Sequence, residues 1–283
     1  MSATPGKPAD HRVTRPAGWL SYDTVGETYQ RVAEPWFTAL ANDLVTAVAP
    51  NPGDRILDVG TGTGLTARAA LAMVGPRGAV VGVDPSMGML AQVSSRPRMA
   101  TVGAMAPDLP FADRVFDAVT ANLVVSHLPD YDAGLADVVR VLRVGGRLGC
   151  TAWATEPDAP DNDRAEANQI IDAVRDELGL DTKPPASAAP WEDHLRDEGH
   201  LGDALARAGL TDVRVNVHTY RWTFTVDDFL SGWGSVSRYV RHRAGEERWH
   251  TYVTKTTVAL REEFEDGIRV VNNAWIASGT RSP

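Results

Sequence analysis

The chain has 283 residues, 43% of them hydrophobic and 23% charged, with a formal net charge of −9. This fits one large globular domain with an elaboration, or two small ones. The acidic balance and the lack of a dense Lys/Arg stripe exclude a phosphate-tracking nucleic-acid binder, and no apolar run reaches membrane-spanning length. The single Cys150 leaves no disulfide framework and no thiolate metal cluster. With a polar, proline-bearing N-terminus that lacks the apolar core of a secretory signal, a cytoplasmic location away from membranes is expected.

Residues 1–18, rich in Pro, Ala and small polar residues, read as a disordered tail. A helix is predicted over Pro35 to Ala49, and the turn Pro50-Asn51-Pro52-Gly53-Asp54 sets the start of a first strand, Arg55 to Val59. A glycine-rich turn, a helix over Leu65 to Val74 and a second strand, Ala79 to Val83, follow. Ser86 is placed to cap the next helix. A third strand covers Thr101 to Met105 and a fourth Phe116 to Leu123. A helix over Asp132 to Leu142 is expected to stop at Gly145-Gly146, before a fifth strand, Arg147 to Trp153. The rhythm then breaks: a helix over Asp163 to Leu178, a hinge over 181–190, a helix near Leu201 to Ala208 and a strand, Val213 to Val217. Helices over Val226 to His242 and Glu246 to Asp266 precede a last strand, Trp275 to Ser278. Such alternation predicts an α/β fold, a doubly wound, Rossmann-like, mostly parallel seven-stranded sheet with a helical cap inserted after the fifth strand.

The chemistry concentrates at Asp58-Val59-Gly60-Thr61-Gly62-Thr63-Gly64. Glycines between a strand and a helix let a ligand approach the backbone. Asp84, 24 residues past Gly60, ends the second strand where an acid accepts hydrogen bonds from ribose hydroxyls. A dinucleotide fingerprint needs its third glycine where Leu65 stands. Asp58 would repel a pyrophosphate and suits a ligand with a positively charged amino group.

The pattern Asp58-x-Gly60-x-Gly62-x-Gly64 followed by Asp84 resembles the class I S-adenosylmethionine-dependent methyltransferases. Four further segments are similar to the ubiquinone/menaquinone-biosynthesis-type small-molecule members. Tyr22-Asp23 to Tyr29 resembles their Y-D-x-x-A-x-x-Y, and Leu109 to Asp117 their L-P-F-x-D-x-x-F-D. Arg140 to Gly146 resembles R-V-L-x-P-G-G, with Val144 in place of the proline, and Ala208 to Val213 resembles A-G-F-x-x-V. The resemblance implies a core at 19–155, cap and substrate elements at 156–200 and 226–266, and 201–225 with 267–283 completing the sheet of a single domain, 19–283. It implies S-adenosyl-L-methionine as cofactor and S-adenosyl-L-homocysteine as product. The cofactor residues it implies are Tyr22, Asp58, Gly60, Thr61, Gly62, Asp84, Pro85, Met89, Ala104, Met105, Asn122 and Leu123. Among these, Asp58 takes the amino group, Asp84 the ribose, Pro85 an adenine face, and Tyr22 closes over the methionine tail. The family's acid for the adenine amino group is missing, since Ala104 or Met105 holds its place; Asp108 is the alternative that reaches in.

Asn122 is a poor Mg²⁺ ligand without carboxylate neighbours, so no metal is expected. His127 is the candidate general base, with packing against the cofactor as the alternative. His194 and His200 read as parts of a solvated helix, and His218 and His242 as weaker base candidates. Aromatics gather in the second half, and Trp222 and Trp233, with Trp191, Trp249, Tyr220, Phe224 and Phe229, are candidates to line an acceptor pocket. Arg238 and Arg241 are candidates to receive a carboxylate, against a solvated helix face. The reading is methyl transfer to O, C or N of a small, aromatic or polyketide-like molecule, by a monomer or homodimer. The alternatives are a pericyclase- or hydroxylase-like use of the bound cofactor without transfer, and a non-catalytic nucleoside-binding subunit.

Overall fold

The computed structural model describes residues 18–94, 96–180 and 189–283. Of the expected tail only Gly18 falls within them, and the expected hinge lies outside them up to residue 188. Helices α1 (Gly26–Val32) and α2 (Glu34–Val48) open the chain. The core then runs β1 (Arg55–Val59), α3 (Leu65–Val74), β2 (Ala79–Asp84), α4 (Met87–Leu90), β3 (Met99–Gly103), β4 (Phe116–Ala121), α5 (Tyr131–Val141) and β5 (Leu142–Trp153). Helices α6 (Arg164–Glu177), α7 (Glu192–Leu195) and α8 (Glu198–Arg207) lead to β6 (Leu210–Phe224). Last come α9 (Val226–Phe229), α10 (Ser235–Glu263) and β7 (Ile268–Arg281).

One seven-stranded sheet carries the order β3-β2-β1-β4-β5-β7-β6, parallel except for β7, which is antiparallel to both its neighbours. The order reverses between β1 and β4, and a doubly wound sheet binds ligands at the carboxyl ends of its strands there. β1 is buried on both faces beyond Arg55, as a central parallel strand must be. Against one face lies α2, whose Phe37, Leu40, Ala41, Leu44, Val45 and Val48 repeat at helical spacing and pack on β1, β4, β6 and β7.

Several boundaries differ from expectation. β3 starts two residues before Thr101, and β6 and β7 run far beyond Val213 to Val217 and Trp275 to Ser278, because they pair with each other along one long antiparallel ladder. Two further differences have a local cause. Gly145 and Gly146 do not stop α5: the helix ends at Val141 and the chain enters β5 at once. The glycines lie in a β-bulge, where the pairing to β4 slips between Phe116↔Leu142 and Ala118↔Arg147, with Gly145 at φ 74°. The helix expected from Val226 is broken at Leu230–Gly234, and α10 continues through Gly245, where φ 76° and ψ 166° put a sharp break in the helix. The cap is thus built from two excursions, α6 with α7 after β5 and α9 with α10 between β6 and β7, and α6 packs on α10. No helix among the described residues is long and apolar enough to cross a membrane.

The family-like segments away from the glycine turn act as clamps on the sheet. Arg140 donates to the carbonyls of Leu109 and Phe111 and pairs with Asp113 and Asp137. Asp137 accepts the N–H groups of Asp108 and Leu109. Asp117 accepts the N–H of Arg55 and pairs with Arg143. These contacts fix the loop between β3 and β4, which carries one wall of the crevice.

Candidate functional site

The glycine turn follows β1 with Gly60 at φ 65°, a conformation that side chains strain to adopt. A Cβ at Gly60 would meet Val124 at 2.4 Å, so the backbone there is pressed against the loop after β4. Arg68 on α3 donates to the Thr63 carbonyl and pairs with Glu34 at 2.6 Å, which ties the turn to α2.

Asp58 is 1% exposed, and Thr120 on β4 donates to its Oδ1 at 2.7 Å. Its Oδ2 has no partner, and neither do the buried hydroxyls of Thr61 and Thr63 in the turn. Burial pushes the Asp58 carboxyl up to about 6, against the Thr120 hydrogen bond, which lowers it. Asp84 accepts the Gly62 N–H at 2.9 Å on one oxygen and the Ser86 N–H at 2.8 Å on the other. Burial raises it too, to about 6. Each of its oxygens keeps a lone pair for a further donor. Unpartnered buried acceptors beside a backbone cradle fit a ligand that brings an ammonium group and vicinal hydroxyls, which are the features of S-adenosylmethionine.

The N-terminal segment closes this mouth. Ser86 caps α4 through Met89, as expected, and donates to Asp23 at 2.8 Å, while Asp23 also accepts the Gly88 N–H. That holds Tyr22 with its ring 6.3 Å from His127, which lies in the turn after β4, Val125–His127. Arg238 of the cap places its guanidinium carbon 3.9 Å from the centre of the Tyr22 ring and is 7% exposed. The structure therefore brings Tyr22, His127 and Arg238 together.

Other expected residues are placed differently. Asn122 is taken up by hydrogen bonds to Thr66 and Thr151, and Thr151 also accepts the N–H of Leu123, whose φ is 53°. Met89 is buried with its methyl beside Gly62; Pro85, Ala104 and Met105 are half-buried along the same edge. Asp108 is exposed at φ 92°, with its backbone N–H held by Asp137. Arg241 is exposed and paired with Glu246, away from Arg238. His194 and His200 are half-buried rather than on an open helix face: they stack at 4.0 Å, and His194 lies 3.2 Å from the Tyr131 hydroxyl, where burial lowers its pKa. His218 lies 3.3 Å from Asp43 on the outer strand, and His242 is exposed. Trp191 donates to the Leu128 carbonyl and packs on Tyr131, and Trp249 packs on Tyr252; both stand away from the cavity described next.

A cavity of ≈ 200 Å³ opens beside this mouth, walled by Trp36 and Phe37 of α2, Trp153 of β5, Trp222 and Phe224 of β6, and Trp233 of the cap. Of the expected lining, Trp222, Trp233 and Phe224 are there; Trp36, Phe37, Trp153 and Asn272 are additions. Sequence offered one sign of Trp36 and Phe37: aromatics at the start of a helix that faces the sheet. Ring contacts run from Tyr22 to Tyr29 at 6.4 Å and from Tyr29 to Trp233 at 5.4 Å, so packed rings stand between mouth and cavity.

Residues 57–150 match a family described as "Methyltransferase domain". The chain is 38% identical over 180 residues to a demethylmenaquinone methyltransferase of Mycolicibacterium vanbaalenii, covering 59% of this chain and 73% of that one. It is 29% identical over 210 residues to the nocamycin O-methyltransferase of Saccharothrix syringae, covering 69% and 72%. A phosphoethanolamine N-methyltransferase 2 of Haemonchus contortus, solved with S-adenosyl-L-methionine, shares the fold at a TM-score of 0.56 and 18% identity, over 92% of this chain and 57% of that one. The chain belongs to the class I S-adenosylmethionine-dependent methyltransferases, in the group that includes the ubiquinone/menaquinone-biosynthesis type.

Proposed function

We propose that this chain methylates a flat, oxygenated small molecule held in the aromatic cavity, with S-adenosylmethionine as donor and S-adenosylhomocysteine as product. When bound, S-adenosylmethionine supplies an electrophilic methyl group on its sulfonium. Asp58 holds the amino group of the methionine portion and Asp84 the ribose hydroxyls, while Gly60 and Gly62 leave the backbone open. Tyr22, pinned through Asp23, covers the methionine end, and Arg238 backs its ring.

The observation that supports the reading is the run of ring contacts Tyr22–Tyr29–Trp233 between the glycine-turn mouth and the aromatic cavity. Catalysis then rests on alignment of the acceptor atom and on the exclusion of water under the cap. His127, beside Tyr22, takes the proton of an O–H or N–H acceptor. Relatives named as a demethylmenaquinone methyltransferase and a nocamycin O-methyltransferase support a small-molecule acceptor. The test is incubation with methyl-labelled S-adenosylmethionine and a panel of hydroxylated quinones and polyketide aromatics. Label in the acceptor with an equal amount of S-adenosylhomocysteine is the expected result. Tight cofactor binding with no transfer to any member of the panel overturns the reading and favours a use of the cofactor without transfer.

A further inference from the structure

The cavity walls are largely aromatic, yet two carboxamides, Asn272 and Asn273, stand among them. Asn272 lies on β7, paired with Tyr220 of β6, and is 6% exposed. Alternation along the strand puts it on the face that α2 covers, with Tyr220 and Ala274. Its neighbour Asn273, also on the lining, has its amide taken up, donating to the Thr155 carbonyl and accepting from Thr219. The Asn272 side chain makes no hydrogen bond among the described residues, and it lines the cavity. Its amide atoms are not sealed in the core but reach the open space of the cavity, where a ligand can take them up.

We infer that Asn272 is the specificity residue for the acceptor, reading a donor and an acceptor set side by side on a flat ring. This rests on the cavity being the acceptor site. A carboxamide offers Nδ2–H and Oδ1 together, so its complement is a hydroxy-carbonyl or lactam edge that accepts from Nδ2 and donates to Oδ1. The charged groups at the rim do not compete for that role. Arg164 pairs with Glu156 at 3.0 Å and Arg196 with Glu192 at 2.8 Å, so the rim is charge-balanced and the selected molecule is neutral. Tryptophan faces on several sides select for a flat body.

The test is calorimetric binding of two probes to the full chain loaded with S-adenosylhomocysteine. One is 2-quinolone, which presents the N–H and C=O edge; the other is 1-methyl-2-quinolone, which lacks the N–H. The wild type is expected to prefer 2-quinolone about tenfold more strongly than N272L does. N272A serves as a second variant if N272L fails to bind S-adenosylhomocysteine as the wild type does. W222A locates the probes, since both should weaken if they sit in the cavity. An unchanged preference in N272L or N272A, with W222A weakening both probes, overturns the role of Asn272 alone. If neither probe binds the wild type, or W222A binds both as the wild type does, the cavity is not the acceptor site and the inference falls with it.

Discussion

Acidification from pH 7 to pH 5 is expected to weaken binding of S-adenosylhomocysteine by about 100-fold. The structure supplies the magnitude. Asp58 and Asp84 are both held at about 6 by burial, well above an ordinary aspartate near 3.9. An ammonium beside Asp58 and hydroxyl donors at Asp84 both favour the ionised carboxylate, so binding draws on the ionised fraction. With a pKa of about 6 that fraction falls about tenfold per group over this range, and two groups together give about 2.7 kcal/mol. Calorimetry in buffers of different ionisation enthalpy should show about one proton released per ligand at pH 6, half from each group. D58N should reduce the pH effect to about tenfold, because one titrating group remains. The stability of the ligand-free protein moves the other way. Carboxyls whose folded pKa is raised contribute stability that is fully present below about pH 4 and is lost as the pH rises through about 6. Affinity that stays flat from pH 7 to 5, with the fold intact by circular dichroism, refutes the assignment of both carboxylates to the ligand.

Other perturbations probe single contacts. A Cβ at Gly88 would lie 1.9 Å from the Asp23 carbonyl, so G88A should displace the Tyr22 segment and raise the Kd for S-adenosylhomocysteine about tenfold, with little change in the melting temperature of the ligand-free protein. H127A should lower kcat about 100-fold for a hydroxyl acceptor with cofactor affinity unchanged; an unchanged kcat assigns His127 to packing on Tyr22. D108A should leave cofactor affinity within twofold in a titration, because the side chain is exposed; a larger loss would place Asp108 on the adenine after all. T151V should be strongly destabilising by denaturant titration, about 1–3 kcal/mol, because it strips a hydrogen bond from Asn122 and another from the Leu123 N–H.

What was legible in the sequence was local in the chain. The strand, glycine turn, helix and following Asp84 are read from neighbours, and their geometry is set by neighbours: Gly60 by its φ, Ser86 by its cap to Met89. Arg238 and Arg241 show where this ends. They are three residues apart on one helix, yet Arg238 is buried over Tyr22 and Arg241 is out in solvent. Their partners differ: Arg238 meets the Tyr22 ring, while Arg241 meets Glu246 just past the break at Gly245. Nothing in the spacing of the arginines records that. The paired glycines after α5 misled in the same way, since a helix stop and a β-bulge draw on the same backbone freedom.

The cavity proposed for the acceptor is illegible for a reason of topology. Its walls come from α2, β5, β6, β7 and the cap, separated by up to 237 positions, from Trp36 to Asn273. They meet only because β7 inserts between β5 and β6, which brings Trp153 level with Ala274 and Tyr220 level with Asn272 on adjacent strands. Had β6 paired with β5 instead, Asn272 would sit on an edge strand, where water satisfies an amide at no cost. The antiparallel insertion is therefore what seats this amide in the cavity wall rather than on an open edge. A change that keeps every side chain but loosens that pairing should abolish acceptor discrimination before it affects Asp58 or Asp84, because those two stand on strands β1 and β2 at the other side of the sheet.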